Sequence, residues 1–198
     1  AAWGGLPRVF EVTAVMGGMG LMVVLFWLPA TPQLSDGGSA HIADRERLGE
    51  ALWGRGLGVL YGSIFCLHLL LMAAFTAIPS VMAEQVGLAT EYHAWMYLAT
   101  LCCAIPGVAI LVRRRREVDD PRPLLALTVL LTVLGLIVAL GAVSLTLLGV
   151  GLVLFFAGFT ALETILPTLV SIFAPVSLRG TAMGIFSSAQ FLGVFTGG

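Results

Sequence analysis

Glu163 is the residue that most plainly could do chemistry. From Pro123 to Leu162 no side chain carries a charge, and the next charge after Glu163 is Arg179. A lone carboxylate inside so long an apolar run faces two fates. It either stays protonated as a packing group, or it faces an interior or wet cavity where taking up and releasing a proton becomes a working step. His68 raises the same question in "YGSIFCLHLLLMAAF", with Tyr61, Phe65, Met72 and Phe75 at helical spacing around it. An aromatic face with one titratable group suits a cavity wall, although a hydroxyl or carbonyl of a neighbouring helix would satisfy the same imidazole. Ser187 and Gln190 share a face with Met183 and Phe191; they line a path or bond helix to helix. Neither Glu163 nor His68 has a partner at metal-ligand spacing, so no metal and no cofactor is expected. Cys66, Cys102 and Cys103 show no redox or zinc spacing and read as packing residues.

These groups need elements to hold them, and composition says which. The 198 residues are 59% hydrophobic and 11% charged, and the mean hydropathy is +1.01. A chain this apolar cannot cover itself with a polar surface, so its long uncharged runs are lipid-solvated helices and the lipid bilayer is its first partner. All ten basic residues are arginine, too few and too segregated for a nucleic-acid surface.

A helix needs about 20 apolar residues to cross the hydrocarbon. That rule predicts spans near Phe10–Leu28, Leu57–Pro79, His93–Val112, Leu124–Gly141, Leu147–Ile172 and Thr181–Gly198, the last cut short. Residues 30–52, rich in Pro, Gly and Ser, form a loop whose second half suits a short interfacial helix. Basic residues near span ends stay cytoplasmic. Arg45, Arg47 and Arg55 mark the first loop, Arg113, Arg114, Arg115, Arg116 and Arg122 the third, and Arg179 the fifth, while the second and fourth loops have none. Arg8, before the first span, is the exception to this alternation.

Within that frame Glu163 lies roughly 13 Å deep, near the midplane. Pro167, one turn later, removes a backbone hydrogen bond and offers a hinge. Phe156, Phe159 and Thr160 share its face and extend the candidate substrate cavity. Small residues at four-residue spacing (Gly54, Gly58 and Gly62; Gly180, Gly184 and Ser188; Gly193 and Gly197) make smooth stripes for close helix packing. Leu124 to Gly141, broken only by Thr128 and Thr132 among its hydrocarbon, should face lipid. Glu11, at the edge of the first span, is placed to snorkel.

The stretch "SIFAPVSLRGTAMGIFSSAQFLGVFTGG" resembles the junction between helices ten and eleven of major facilitator superfamily transporters. With "ALETILPTLVS", "CLHLLLMAAFTAIP" and "YLAT", spread over about two thirds of the chain, it resembles more narrowly the YajR-type, drug-efflux-like branch. The resemblance implies an all-α membrane bundle in which the six spans are helices six to eleven of an expected twelve. Residues 1–29 then close the N-terminal half, 30–52 form the cytoplasmic linker, and 53–198 begin the C-terminal half. The rest of the N-terminal half of the same chain would be a partner. It places helices seven, eight, ten and eleven around a cavity and helix nine outside, so that His68 and Glu163 fall on helices seven and ten. The loop after helix eight, "RRRREVDDPRP", lacks the glycine of the superfamily's signature loop, which leaves Arg113 to Arg116 as orientation signals.

The function expected is secondary active transport in a bacterial inner membrane, by alternating access. Proton binding at Glu163 would be coupled to export of a small amphiphilic molecule held against Phe156, Phe159 and His68. Proton-coupled uptake of a sugar or organic acid is the alternative within transport. An intramembrane enzyme with His68 and Glu163 as acid and base lacks a nucleophile beside them. A non-transporting sensor or an inactive paralogue would share the same sequence features.

Overall fold

Hydrocarbon offers backbone groups no hydrogen-bond partner, so an apolar run must close its own bonds as a helix. The computed structural model, which describes residues 5–27, 49 and 54–198, has helices and no strand among them. They are α1 (Gly5–Trp27), α2 (Leu57–Ser80), α3 (His93–Glu117), α4 (Arg122–Leu140), α5 (Leu145–Phe173) and α6 (Arg179–Gly197).

The chain divides into two compact units, Ala1–His41 and Ile42–Gly198. The first is described through α1, whose Phe10, Met16, Leu21 and Phe26 are exposed, as is Glu11. The expected linker over 30–52, with Arg45 and Arg47, lies outside the described residues apart from Gly49.

In the second unit four stretches are long and apolar enough to cross a membrane: Leu57–Gln85, Thr90–Arg115, Arg122–Leu140 and Leu145–Phe173. One expected span falls short of that mark: α6 is diluted by Arg179, Ser187, Ser188 and Gln190. The first expected span corresponds to α1, 23 residues over Gly5–Trp27. Elsewhere the helices outrun the apolar runs: α3 continues through its arginines to Glu117, five residues past Val112. Pro79 lies inside α2, which passes at Val81–Gln85 into a π-helical turn, a common response to a lost main-chain donor. The Ser144 side chain caps α5 by accepting the N–H of Leu147 at 3.3 Å.

The second unit is built on α5. Of its most apolar window 56% is buried, against 33% for α2, 17% for α3 and 22% for α4. Both α4 and α3 lie along it, and α6 lies along α2. Small residues set the α4–α5 distance. A methyl group at Gly158 would sit 2.6 Å from the Thr128 carbonyl oxygen and 2.7 Å from the Thr132 nitrogen; one at Gly151 would sit 2.8 Å from Cα of Ala139. Thr128, Thr132, Gly135 and Ala139 form the buried face of α4. The two hydroxyls are spent locally, Thr132 donating to the Thr128 carbonyl at 2.8 Å and Thr128 to that of Leu125 at 2.8 Å. Leu127, Leu130, Leu134 and Ile137 are exposed on the other side, so the lipid-facing reading of this span holds for one face and not for the other.

Cys66, Cys102 and Cys103 are all exposed, which corrects their reading as packing residues: an apolar neighbourhood in sequence does not say which side of a helix a residue takes. Gly56, Asp119, Asp120, Arg122 and Phe173 line one cavity, which puts the start of α2, the α3–α4 loop and the end of α5 on the same side.

Candidate functional site

Three helices each bring a polar side chain to one point. His68 comes from α2, Glu163 from α5 and Gln190 from α6. The Gln190 amide nitrogen donates to Glu163 Oε1 at 3.2 Å and lies 2.9 Å from His68 Nε2. His68 Nδ1 lies 3.2 Å from the Ile64 carbonyl one turn earlier, which can only accept, so the neutral ring carries its proton on Nδ1 and offers the Nε2 lone pair to Gln190. His68 Nε2 and Glu163 Oε1 are 3.4 Å apart, with side-chain exposures of 5% and 41%. The imidazole is therefore walled in, while the carboxylate keeps one side open.

Gly193 explains why α6 comes near enough. A methyl group there would meet the Phe65 carbonyl oxygen and lie 3.2 Å from Cβ of His68; at Gly197 it would lie 2.9 Å from Cα of Leu69. Gln190 sits one turn before Gly193, so the close approach of two backbones sets the reach of its amide. By contrast Gly62, Gly180 and Gly184 have open space around them among the described residues, and Gly54 and Gly58 are half-buried. Gly135, Gly151 and Gly158, absent from the sequence reading, make the tighter α4–α5 contact. Their signal was there, in the two-turn spacing of Gly151 and Gly158.

An aromatic wall leads away from the polar cluster. Phe159 meets His68 edge-on with centroids 5.5 Å apart and stacks on Phe155 at 5.9 Å. Phe155 meets Phe156 at 5.4 Å, Phe156 meets Tyr97 at 6.4 Å, and Tyr97 meets Phe75 at 5.2 Å. Tyr97, which sequence reasoning passed over, holds a buried hydroxyl with no hydrogen-bond partner. Tyr61 is buried two turns before His68, and Phe65, Met72 and Ser187 are half-buried.

Thr160 stands elsewhere. With Thr164 it lines a groove of about 310 Å³ between α5 and α3, facing Leu101, Ile105 and Val108. Pro167 lies within an unbroken α5 and has no N–H to offer the carbonyl of Glu163. Arg113, Arg114 and Arg179 are exposed at the ends of their helices, Arg115 is half-buried, and Arg116 is part of α3.

Chemically the cluster is one proton short of saturation. With His68 neutral and Glu163 ionised, the facing Nε2 and Oε1 atoms are both acceptors, bridged by the Gln190 amide. A proton added to either makes them a donor–acceptor pair.

The whole chain, residues 1–198, matches the family model described as Major Facilitator Superfamily. It is 32% identical to the "Inner membrane transport protein YajR" of Escherichia coli (strain K12), over 98% of this chain and 42% of that protein. It is 25% identical to "Uncharacterized transporter BU466" of Buchnera aphidicola subsp. Acyrthosiphon pisum (strain APS), and 26% identical to an "Uncharacterized transporter" of Buchnera aphidicola subsp. Baizongia pistaciae (strain Bp). Each of these alignments covers 98% of this chain and 50% of the relative. The chain thus spans half or less of the length of these curated relatives.

Proposed function

Since the chain belongs to the major facilitator superfamily, we propose that it forms part of a secondary active transporter of the bacterial inner membrane, in which Glu163 carries the coupling proton. It is read as a transporter rather than an enzyme. On this reading α1 is the sixth helix of the transporter, residues 30–52 link its halves, and α2 to α6 are helices seven to eleven. The inner-membrane setting is supported by the relative whose name states it.

One observation carries the proposal: the Gln190 amide on α6 bridges His68 on α2 and Glu163 on α5, so the one acidic side chain on these three helices is tied to both of the others. Protonating Glu163 removes a charge from a partly open interior site and changes which atom of the cluster donates. The free energy of exposing the site then depends on whether a proton is bound, which is the linkage a coupled carrier requires. In the ionised state Gln190 holds the carboxylate. In the protonated state the carboxyl has its own hydrogen to give, and His68 Nε2, 3.4 Å away, can accept it once the Gln190 amide gives up that lone pair.

The substrate class is read from the site's composition. Phe159 packs on His68 edge-on, and the aromatic row it begins, with His68 and Glu163 at its polar end, supports a small amphiphilic molecule as the substrate. A cationic one would also be drawn by the carboxylate. Exchange of an outgoing molecule for incoming protons is the direction favoured by the resemblance to drug-efflux-like transporters.

Full-length protein in proteoliposomes, with an imposed pH gradient and a panel of lipophilic cationic dyes, tests this. Dye flux should follow the gradient, and Glu163→Gln should lose at least about tenfold of it, as expected when a charge-linked step of about 1.4 kcal/mol or more is removed. Equal flux with the same pH dependence in wild type and Glu163→Gln would end the proposal and leave the fold untouched.

A further inference from the structure

Arginines crowd one end of the bundle. Arg113, Arg114, Arg115 and Arg116 close α3, Arg122 opens α4 and Arg179 opens α6. Three carboxylates, Glu117, Asp119 and Asp120, share that end, and helix geometry would let them pair with the cluster. They do not. Asp120 turns the other way, accepting the Arg122 backbone N–H at 3.0 Å with the Arg122 side chain at 3.9 Å. Among the described residues no carboxylate forms an ion pair with Arg113, Arg114 or Arg115. Arg115 goes further, since its Nε is buried and has no hydrogen-bond partner.

The cluster sits where a membrane-crossing helix leaves the hydrocarbon: the apolar run of α3 extends to Val112, and Arg113 follows it directly. A guanidinium at that depth faces lipid head groups, and its planar fork matches two oxygens of a phosphate. Successive arginines place their forks about 100° apart around a helix, so Arg113 and Arg114, both exposed, are presented to the head-group layer on adjoining sides. Unneutralised basic residues beside a span attract anionic lipid at the cytoplasmic surface. Orientation of the chain needs only their charge; it does not account for a buried donor left open.

We propose that Arg113, Arg114 and Arg115 bind the phosphodiester group of an anionic phospholipid in the leaflet at this end of the bundle. Arg113 and Arg114 supply the outward forks, and Arg115, half-buried beside them with its Nε enclosed, adds a third guanidinium from the protein side. The site is independent of the proton-linked cluster, which lies on other helices near the middle of the bilayer.

The test uses purified full-length protein, delipidated in a non-ionic detergent and titrated with phosphatidylglycerol, with phosphatidylcholine as the neutral control. The thermal-unfolding midpoint is the readout, because a ligand that binds the folded state raises it. Phosphatidylglycerol should raise the midpoint and phosphatidylcholine should not, and the response should weaken at high ionic strength. In Arg113→Gln/Arg114→Gln the lipid concentration for half the effect should rise about 30-fold, from about fivefold per arginine. Equal responses to the two lipids would overturn the proposal, as would an unchanged titration in the double variant. Should that variant not fold, wild type decides the matter: a phosphatidylglycerol response indifferent to salt overturns the site, and one that fades with salt supports it.

Discussion

One nitrogen atom, Nε2 of Gln190, lies within hydrogen-bond reach of both His68 and Glu163, and those contacts span 122 and 27 residues of sequence. An amide offers two hydrogens, so it serves two acceptors at once, which a hydroxyl cannot do. Gln190→Leu keeps the approximate volume and removes both donors, leaving two facing acceptors with nothing between them. Gradient-driven flux should fall about tenfold or more, the effect of losing hydrogen bonds to a charged group, and the pH at half-maximal flux should move. Ser187→Ala, one turn away and outside the bridge, should stay within about twofold. If the two variants behave alike, the bridge is not the working part. His68, Glu163 and Gln190 were each legible in the sequence because a polar group stands out against hydrocarbon. Their convergence was not, since three helices far apart in sequence had to be docked before one amide could be seen to join the others. Tyr97 stayed hidden for the opposite reason: a tyrosine among Trp95, Met96 and Leu98 is ordinary, and only its buried, unpartnered hydroxyl marks it.

Between helices, glycine does what the polar groups do within the site. Gly158 lets α4 settle with the Thr128 carbonyl and the Thr132 hydroxyl where its own side chain would be. Gly158→Ala gains about 0.5–1 kcal/mol of helix preference but forces a methyl into backbone atoms 2.6 Å away. Overpacking of that kind costs about 1–3 kcal/mol, so the net effect should be a lower unfolding midpoint of the detergent-solubilised full-length protein. Gly193→Ala should act differently, because α6 must then slide off α2 and Gln190 with it: flux should drop by a larger factor than stability accounts for. A Gly158→Ala protein as stable as wild type would show that α4 and α5 have room to part. Four-residue spacing pointed to Gly193 and Gly197, which touch α2. The same rule could not reveal that Gly62, Gly180 and Gly184 face open space among the described residues, since spacing gives a stripe and not its partner. Hydropathy likewise placed α2 to α5 but ended α3 at Val112, because main-chain hydrogen bonding carries a helix past its apolar part into "RRRRE".

At the scale of the whole second unit, Ile42–Gly198, the bundle is polarised, and that follows from where charge falls along its successive spans. The start of α2, the α3–α4 loop and the end of α5 share one side, where Arg113 to Arg116 and Arg122 gather. The connection from α2 to α3 carries Glu84 and Glu91 and no basic residue, and that from α4 to α5, over 141–144, carries no charge. Basic residues resist translocation, so the arginine side should be cytoplasmic. Ala89 and Asp119, both exposed, lie on opposite connections and make a direct test. Cys66, Cys102 and Cys103 are exposed and would give background, so each is first replaced by serine in the full-length protein. In intact cells an impermeant maleimide should label Ala89→Cys and spare Asp119→Cys; opening the cells should expose position 119. Labelling of position 119 from outside would invert the bundle, and the arginine-bound phospholipid would then belong to the outer leaflet. Glu163 would keep its place along α5 under either orientation.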